Sequence, residues 1–205
     1  MIDRHILKLL KPAADTAARH LLARGFTPDQ MTMTGFGTGL LAALLIATGF
    51  THLAIVPLLV SRTFDGLDGA MARLSQTTDR GAFLDISLDF IFYATIPLAF
   101  ALLAPEPNAL AGALLLAAFT GTGTTFLAYA AIAEKRGLKS TAYPMKSFYY
   151  IGGLTEGTET IACFVVMCLW PQHFAAIAVV YAILCLATTA ARIVSGWQVF
   201  GLTKS

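Results

Sequence analysis

The sequence predicts an all-α, polytopic membrane protein: one domain over residues 1–205, with six transmembrane helices and an N-terminal amphipathic helix lying in the membrane interface. Three observations predict it. Hydrophobic residues make up 57% of the chain and charged residues 13%, about half the charged share of a soluble domain. The apolar residues fall in six long runs, each near or above the ~20 residues that one bilayer crossing requires. Lysine and arginine avoid alternate breaks between those runs, the asymmetry that separates cytoplasmic from external loops.

Residues 2–24 place Ile2, Ile6, Leu9, Leu10, Ala13, Ala17, Leu21 and Leu22 at helical spacing, with Arg4, Lys8, Lys11, Arg19 and Arg24 between them. That pattern predicts a helix on an anionic leaflet, the plainer alternative being a soluble helix that caps the bundle. It lacks the unbroken apolar core and cleavage site of a signal peptide and is expected to persist in the mature protein. Thr27-Pro28-Asp29 then reads as a turn with Thr27 or Asp29 as helix cap. The spans are expected at about 31–49, 52–74, 79–104, 109–134, 147–169 and 172–199. The breaks near 50–52, 104–109 and 169–173 hold no Lys or Arg, whereas Arg73 and Arg80 flank the 75–80 turn. Lys135, Arg136, Lys139 and Lys146 fill the 135–146 loop, and Lys204 lies in the tail. Both termini are therefore expected in the cytoplasm.

Cys163, Cys168 and Cys185 lie in apolar stretches without metal-ligand spacing and read as small core residues. His5, His20, His52 and His173 are scattered and form no cluster. A net charge of +2 gives no ground for a nucleic-acid partner.

The departure from simple hydropathy is residues 61–90, SRTFDGLDGAMARLSQTTDRGAFLDISLDF, with five aspartates across two helix ends. An Asp at a membrane helix centre costs roughly 2.5–3.5 kcal/mol on insertion scales, so ionisable groups at such depth mark function. Asp65 and Asp68 are spaced i,i+3 and Asp85 and Asp89 i,i+4, so each pair shares one helix face. The short connection predicts antiparallel neighbours with converging acidic faces. Unpaired carboxylates at that distance repel, and divalent cations remove the repulsion while the carboxylates supply hard oxygen ligands. A site for two cations, Mg²⁺ or Mn²⁺, on Asp65, Asp68, Asp85 and Asp89 is the expectation. Gly66, Gly69, Ala70, Ala72 and Gly81 leave room for a bulky ligand, and Arg73 offers a fork suited to a phosphate oxygen. The bland alternative, pairing with Arg62, Arg73 and Arg80, accounts best for Asp79.

These residues resemble the signature of the CDP-alcohol phosphotransferase (CDP-alcohol phosphatidyltransferase) family, D-x-x-D-G-x-x-A-R followed by G-x-x-x-D-x-x-x-D. Asp65, Asp68, Gly69, Ala72 and Arg73 match the first part, and Gly81, Asp85 and Asp89 the second. The spacer between the parts is one residue shorter than is usual. Thr27-Pro28-Asp29-x-x-Thr32 resembles the family's T-P-N-x-x-T segment, with Asp29 in place of Asn. As a whole the chain is similar to a bacterial inner-membrane branch that resembles phosphatidylglycerophosphate synthase.

The resemblance implies transfer of a phosphatidyl group from CDP-diacylglycerol to an acceptor hydroxyl, with release of CMP. It implies that Asp68, Gly69, Ala72, Arg73 and Gly81 contact the cytidine diphosphate, that Asp89 is either the general base or a metal ligand only, and that the protein is a homodimer among membrane lipids. Glycerol 3-phosphate is the expected acceptor, with phosphatidylglycerol, inositol phosphate, serine or another alcohol as alternatives. Lys146 and Arg192 are the candidate cations for a phosphorylated acceptor. Glu156 and Glu159, read as i,i+3 on the fifth span and ~15–20 Å beyond Lys146 at helical rise, either pair with Arg192 or Arg62 or line an acceptor cavity. Thr120, Thr122, Thr124 and Thr125 read as small packing residues. A cation transporter would also explain acids at depth, and a non-catalytic lipid binder is the third reading; the clustering of the acids with Arg73 and glycines favours the enzyme.

Overall fold

The computed structural model describes residues 2–137 and 155–201, with side chains from residue 11 onward. Its long elements are seven helices: α1 Ile2–Ala23, α2 Pro28–Ala47, α3 Thr51–Leu74, α4 Asp79–Leu103, α5 Pro105–Lys135, α6 Gly157–Leu169 and α7 Phe174–Gly201. A 3₁₀ turn, Pro171–His173, leads into α7.

Local chemistry sets several of the ends. The Thr27 hydroxyl accepts from the Gln30 N–H while the Gln30 side chain accepts from the Thr27 N–H, a reciprocal cap that starts α2. Thr78 caps α4 by accepting from the Gly81 N–H at 3.0 Å. Gly25 and Gly49 turn the chain after α1 and α2 with φ of +84° and +90°, which a residue without Cβ adopts at no steric cost.

Among the described residues four segments are long and apolar enough to cross a membrane: α2, α4, α5 and Pro171–Gly201. The expected second span, α3, has the length but carries Arg62, Asp65, Asp68 and Arg73. Of the expected fifth span, residues 147–154 lie outside the described residues, and α6 supplies 13 residues. Large apolar side chains cover the outside of the bundle, with Leu110 84%, Leu102 62% and Leu44 60% exposed. A surface of this kind suits hydrocarbon rather than water.

Phe92, Ile96, Phe100, Leu115, Phe164, Met167 and Phe174 form the centre of the core. Phe100 and Phe174 stack at 4.5 Å, while Phe92 and Phe164 meet edge to face at 6.4 Å. A smaller cluster of Ala18, Met31, Ala70 and Met71, flanked by Ala14, Leu21 and Leu22, holds α1 to the start of α2 and the end of α3.

The expectation that α3 and α4 are direct neighbours is corrected. Each packs along α2, with little backbone contact between the two. The cause is a glycine face on α2. A Cβ on Gly35 would stand 3.0 Å from Phe64 Cβ and 3.2 Å from the Ser61 carbonyl, and one on Gly39 2.5 Å from Phe92 Cδ2. These two glycines, four residues apart, bring α3 and α4 against one helix. The link from Ser75 to Thr78 spans roughly 13 Å when extended, beyond the ~8–10 Å between directly packed helices, so it tolerates the separation. The acidic faces consequently meet across a gap floored by α2.

Candidate functional site

The gap is a small cleft lined by Thr32, Gly35, Phe36, Arg62, Asp65, Asp85, Leu88 and Asp89. Its volume is about 10 Å³, room for about one water molecule. Three of the four signature aspartates therefore line one cavity. The fourth, Asp68, is 5% exposed and sits at its edge, where Thr32 Oγ1 donates to Asp68 Oδ2 at 2.6 Å. A hydroxyl on a carboxylate is a charge-assisted bond, and it fixes one Asp68 oxygen toward α2.

Arg62 crosses the gap. Its Nη1 donates to Asp89 Oδ1 at 2.5 Å and lies 3.5 Å from Asp65 Oδ1. Nη2 donates to Ser61 Oγ at 3.2 Å, and Ser61 in turn donates to the Gly35 carbonyl at 2.7 Å. The guanidinium lies over the Phe92 ring, 3.9 Å from its centroid, at cation–π range. Arg62 was expected only as one possible partner of an acid; the structure makes it a member of the site.

The donor set is carboxylate oxygen throughout, the chemistry that Mg²⁺ and Mn²⁺ select. No three carboxylates among the described residues approach closely enough to share one ion, and Arg62 occupies one oxygen of Asp89. The set fits divalent cations by ligand type, and three of its four members open onto one cleft.

The other signature residues lie around this centre. Gly66 faces open space, and a Cβ on Gly69 would stand 3.3 Å from Arg73 Nη1. Ala72 is half-buried and Arg73 exposed. Gly81 belongs to the α4 cap, where a Cβ would meet Thr78 Oγ1 at 3.0 Å and Asp29 Oδ1 at 3.2 Å. Asp29 also pairs with Arg80 at 2.5 Å, so the acid standing where the family carries Asn ties the start of α2 to the start of α4.

The expected acceptor residues that are described, Arg192, Glu156 and Glu159, are not among those lining the cleft. Lys146 and Lys139 lie outside the described residues. Arg192 Nη1 donates to the Thr122 carbonyl at 3.0 Å and lines a groove between α5 and α7 with Thr125, Tyr129, Trp197 and Phe200. The reading of Glu156 and Glu159 as one helix face is corrected: Glu156 precedes α6 with extended backbone, φ −94° and ψ 180°. The helix begins at Gly157, so rise counted from Lys146 does not measure the depth of Glu156. Thr120, Thr122, Thr124 and Thr125 each donate to a carbonyl three or four residues earlier in α5, the local bond a threonine makes inside a helix, and Thr120 and Thr124 are exposed.

A family model described as CDP-alcohol phosphatidyltransferase matches residues 26–194. The chain is 52% identical over 197 residues to "Inner membrane protein YnjF" of Escherichia coli, covering 96% of each. It is 34% identical over 88 residues to an archaetidylinositol phosphate synthase of Pyrococcus horikoshii, covering 42% of this chain and 47% of the relative. The crystal structure of Mycobacterium tuberculosis phosphatidylinositol phosphate synthase (PgsA1) with CDP-DAG bound aligns with a TM-score of 0.70 and 25% identity, covering 90% of this chain and 93% of that one. The same synthase in complex with manganese and citrate aligns with a TM-score of 0.65 and 23% identity, covering 90% and 88%.

Proposed function

The chain belongs to the CDP-alcohol phosphatidyltransferase family, a family of enzymes, and from that premise we propose that it transfers a phosphatidyl group from CDP-diacylglycerol to a hydroxyl of a phosphorylated polyol, releasing CMP. The observation that carries this is the convergence of Asp65, Asp85 and Asp89 on one cleft, with Asp68 braced at its edge.

In this reading Asp65, Asp68, Asp85 and Asp89 hold two divalent cations, Mg²⁺ or Mn²⁺, which when bound neutralise the diphosphate and the charge that develops on the departing CMP. Gly66 and Gly69 leave backbone open to the nucleotide, and Arg73 meets a phosphate oxygen. Asp89 Oδ1 is held by Arg62, so its other oxygen is the one available to take the acceptor's proton. The acceptor oxygen then forms its bond to the phosphatidyl phosphorus as the bond from phosphorus to the CMP oxygen breaks. Glycerol 3-phosphate is the acceptor expected from the sequence; inositol phosphate is the second reading, favoured by the names of the synthases that the chain resembles.

We also propose six spans in the inner membrane, with α1 in the interface and the termini and acids on the cytoplasmic side. The lysine and arginine distribution, the apolar exterior and the likeness to an inner membrane protein support it. There a membrane-borne donor and a soluble acceptor meet at one depth.

The test is purified protein with CDP-diacylglycerol, Mg²⁺ or Mn²⁺ and a panel of acceptors, reading CMP and the lipid product. Metal-dependent CMP release is expected with glycerol 3-phosphate or inositol phosphate, and its loss in Asp85→Asn and Asp89→Asn. Absence of CMP release with every acceptor would sink the proposal.

A further inference from the structure

Arg62 is the feature that the signature leaves unexplained. A half-buried guanidinium placed between metal-ligand candidates competes with the ions for the same oxygens, yet everything around it holds it in place. Asp89 and Asp65 flank Nη1, Ser61 accepts from Nη2, and Phe92 supports its face. Phe92 is 1% exposed, so the platform does not shift easily. Arg62 Nε, also buried, has no partner among the described residues and is a donor held in reserve.

Two divalent cations neutralise four carboxylates completely. With Arg62 present they leave one positive charge over, which suits a diphosphate and penalises the metal-loaded site without one. We infer that Arg62 is a built-in counter-charge that keeps divalent cations weakly held until a diphosphate arrives, and so couples metal loading to nucleotide binding. It is a positioning residue: it acts through Asp89 and Asp65 and through the net charge of the cleft. Such coupling is reciprocal, since whatever the nucleotide adds to metal affinity the metal adds to nucleotide affinity. This inference rests on the metal site proposed above.

The experiment titrates purified full-length protein in detergent with Mn²⁺, reading free ion by electron paramagnetic resonance, without and with CDP. It compares wild type with Arg62→Gln and Arg62→Lys. Removing a positive charge a few Å from the ions is expected to tighten Mn²⁺ binding without CDP by about tenfold or more, and to weaken CDP binding at saturating Mn²⁺ by about tenfold. Arg62→Lys, which keeps the charge but loses the stack on Phe92 and the bond to Ser61, is expected to fall between wild type and Arg62→Gln on both. A merely structural role would weaken both affinities together.

Mn²⁺ binding by Arg62→Gln that is equal to or weaker than wild type overturns the inference, as does an Arg62→Lys variant that behaves like Arg62→Gln. Absence of Mn²⁺ binding to wild type, with and without CDP, overturns the metal reading itself and this inference with it. If Arg62→Gln is not monodisperse, Arg62→Met takes its place. Failure to recover either with Mn²⁺ present throughout purification also overturns the inference, because an ion must be able to replace the guanidinium.

Discussion

Replacing Gly39 by Ala tests whether α2 is the wedge that sets the gap between the acidic helices. A Cβ there would stand 2.5 Å from Phe92 Cδ2, 2.9 Å from Phe92 Cε2 and 3.0 Å from Ser61 Oγ. The ring cannot retreat cheaply, because it meets Tyr93 at 5.5 Å, Phe164 at 6.4 Å and the Arg62 guanidinium at 3.9 Å. Overpacking of this kind costs about 1–3 kcal/mol. A helical Gly→Ala change by itself contributes roughly 0.5–1 kcal/mol of stability, so the net loss is about 0–2.5 kcal/mol. Gly37, two residues earlier, has nothing within 4 Å of its would-be Cβ, and Gly37→Ala keeps the helix gain alone. The two variants therefore differ by about 1–3 kcal/mol, or roughly 2–12 °C in melting temperature for a chain of this size. Thermal unfolding in detergent micelles measures the difference. Equal melting temperatures, or a higher one for Gly39→Ala, would refute the wedge.

Thr32→Val removes the hydroxyl that Asp68 accepts from at 2.6 Å and should cost about 1.5–3 kcal/mol, the worth of a hydrogen bond to a charged group; Thr32→Ser should recover most of it, in the same unfolding assay. Arg80→Ala breaks the pair with Asp29, but the Arg80 side chain is 84% exposed, so its loss should shift stability by no more than about 1 kcal/mol. Asn108 is buried and its Nδ2 donates to the Phe100 carbonyl at 2.9 Å in the last turn of α4; Asn108→Ala should lower stability by about 0.5–1.5 kcal/mol and leave metal-dependent CMP release unchanged.

Much of the fold was legible because apolar run length and turn chemistry are local. The Thr27-Pro28-Asp29 turn and the breaks near 50–52, 75–80 and 104–109 fall within a few residues of helix ends in the structure. The arrangement of the helices was less so. Hydropathy treats Gly35, Gly37 and Gly39 alike, yet two of them admit a neighbouring helix and the third faces open space. Glu156 was misplaced for a related reason: counting rise from Lys146 presumes an unbroken helix, and the chain is extended just before Gly157.

The site shows the same division between local and tertiary information. Spacing put Asp65 with Asp68 and Asp85 with Asp89, and three of these four share the cleft. It could not rank the partners of Arg62. By periodicity the natural partner is Asp65, three residues on, and that contact exists at 3.5 Å. The closer one, at 2.5 Å, is Asp89, twenty-seven residues away on another helix. The separation that α2 imposes sets that order, because it holds α4 at the distance a guanidinium stacked on Phe92 can bridge. A cation poised between the two acidic helices therefore follows from glycines on a third, and a change at Gly39 should reach the acids through Phe92 and Arg62 without touching either pair of aspartates.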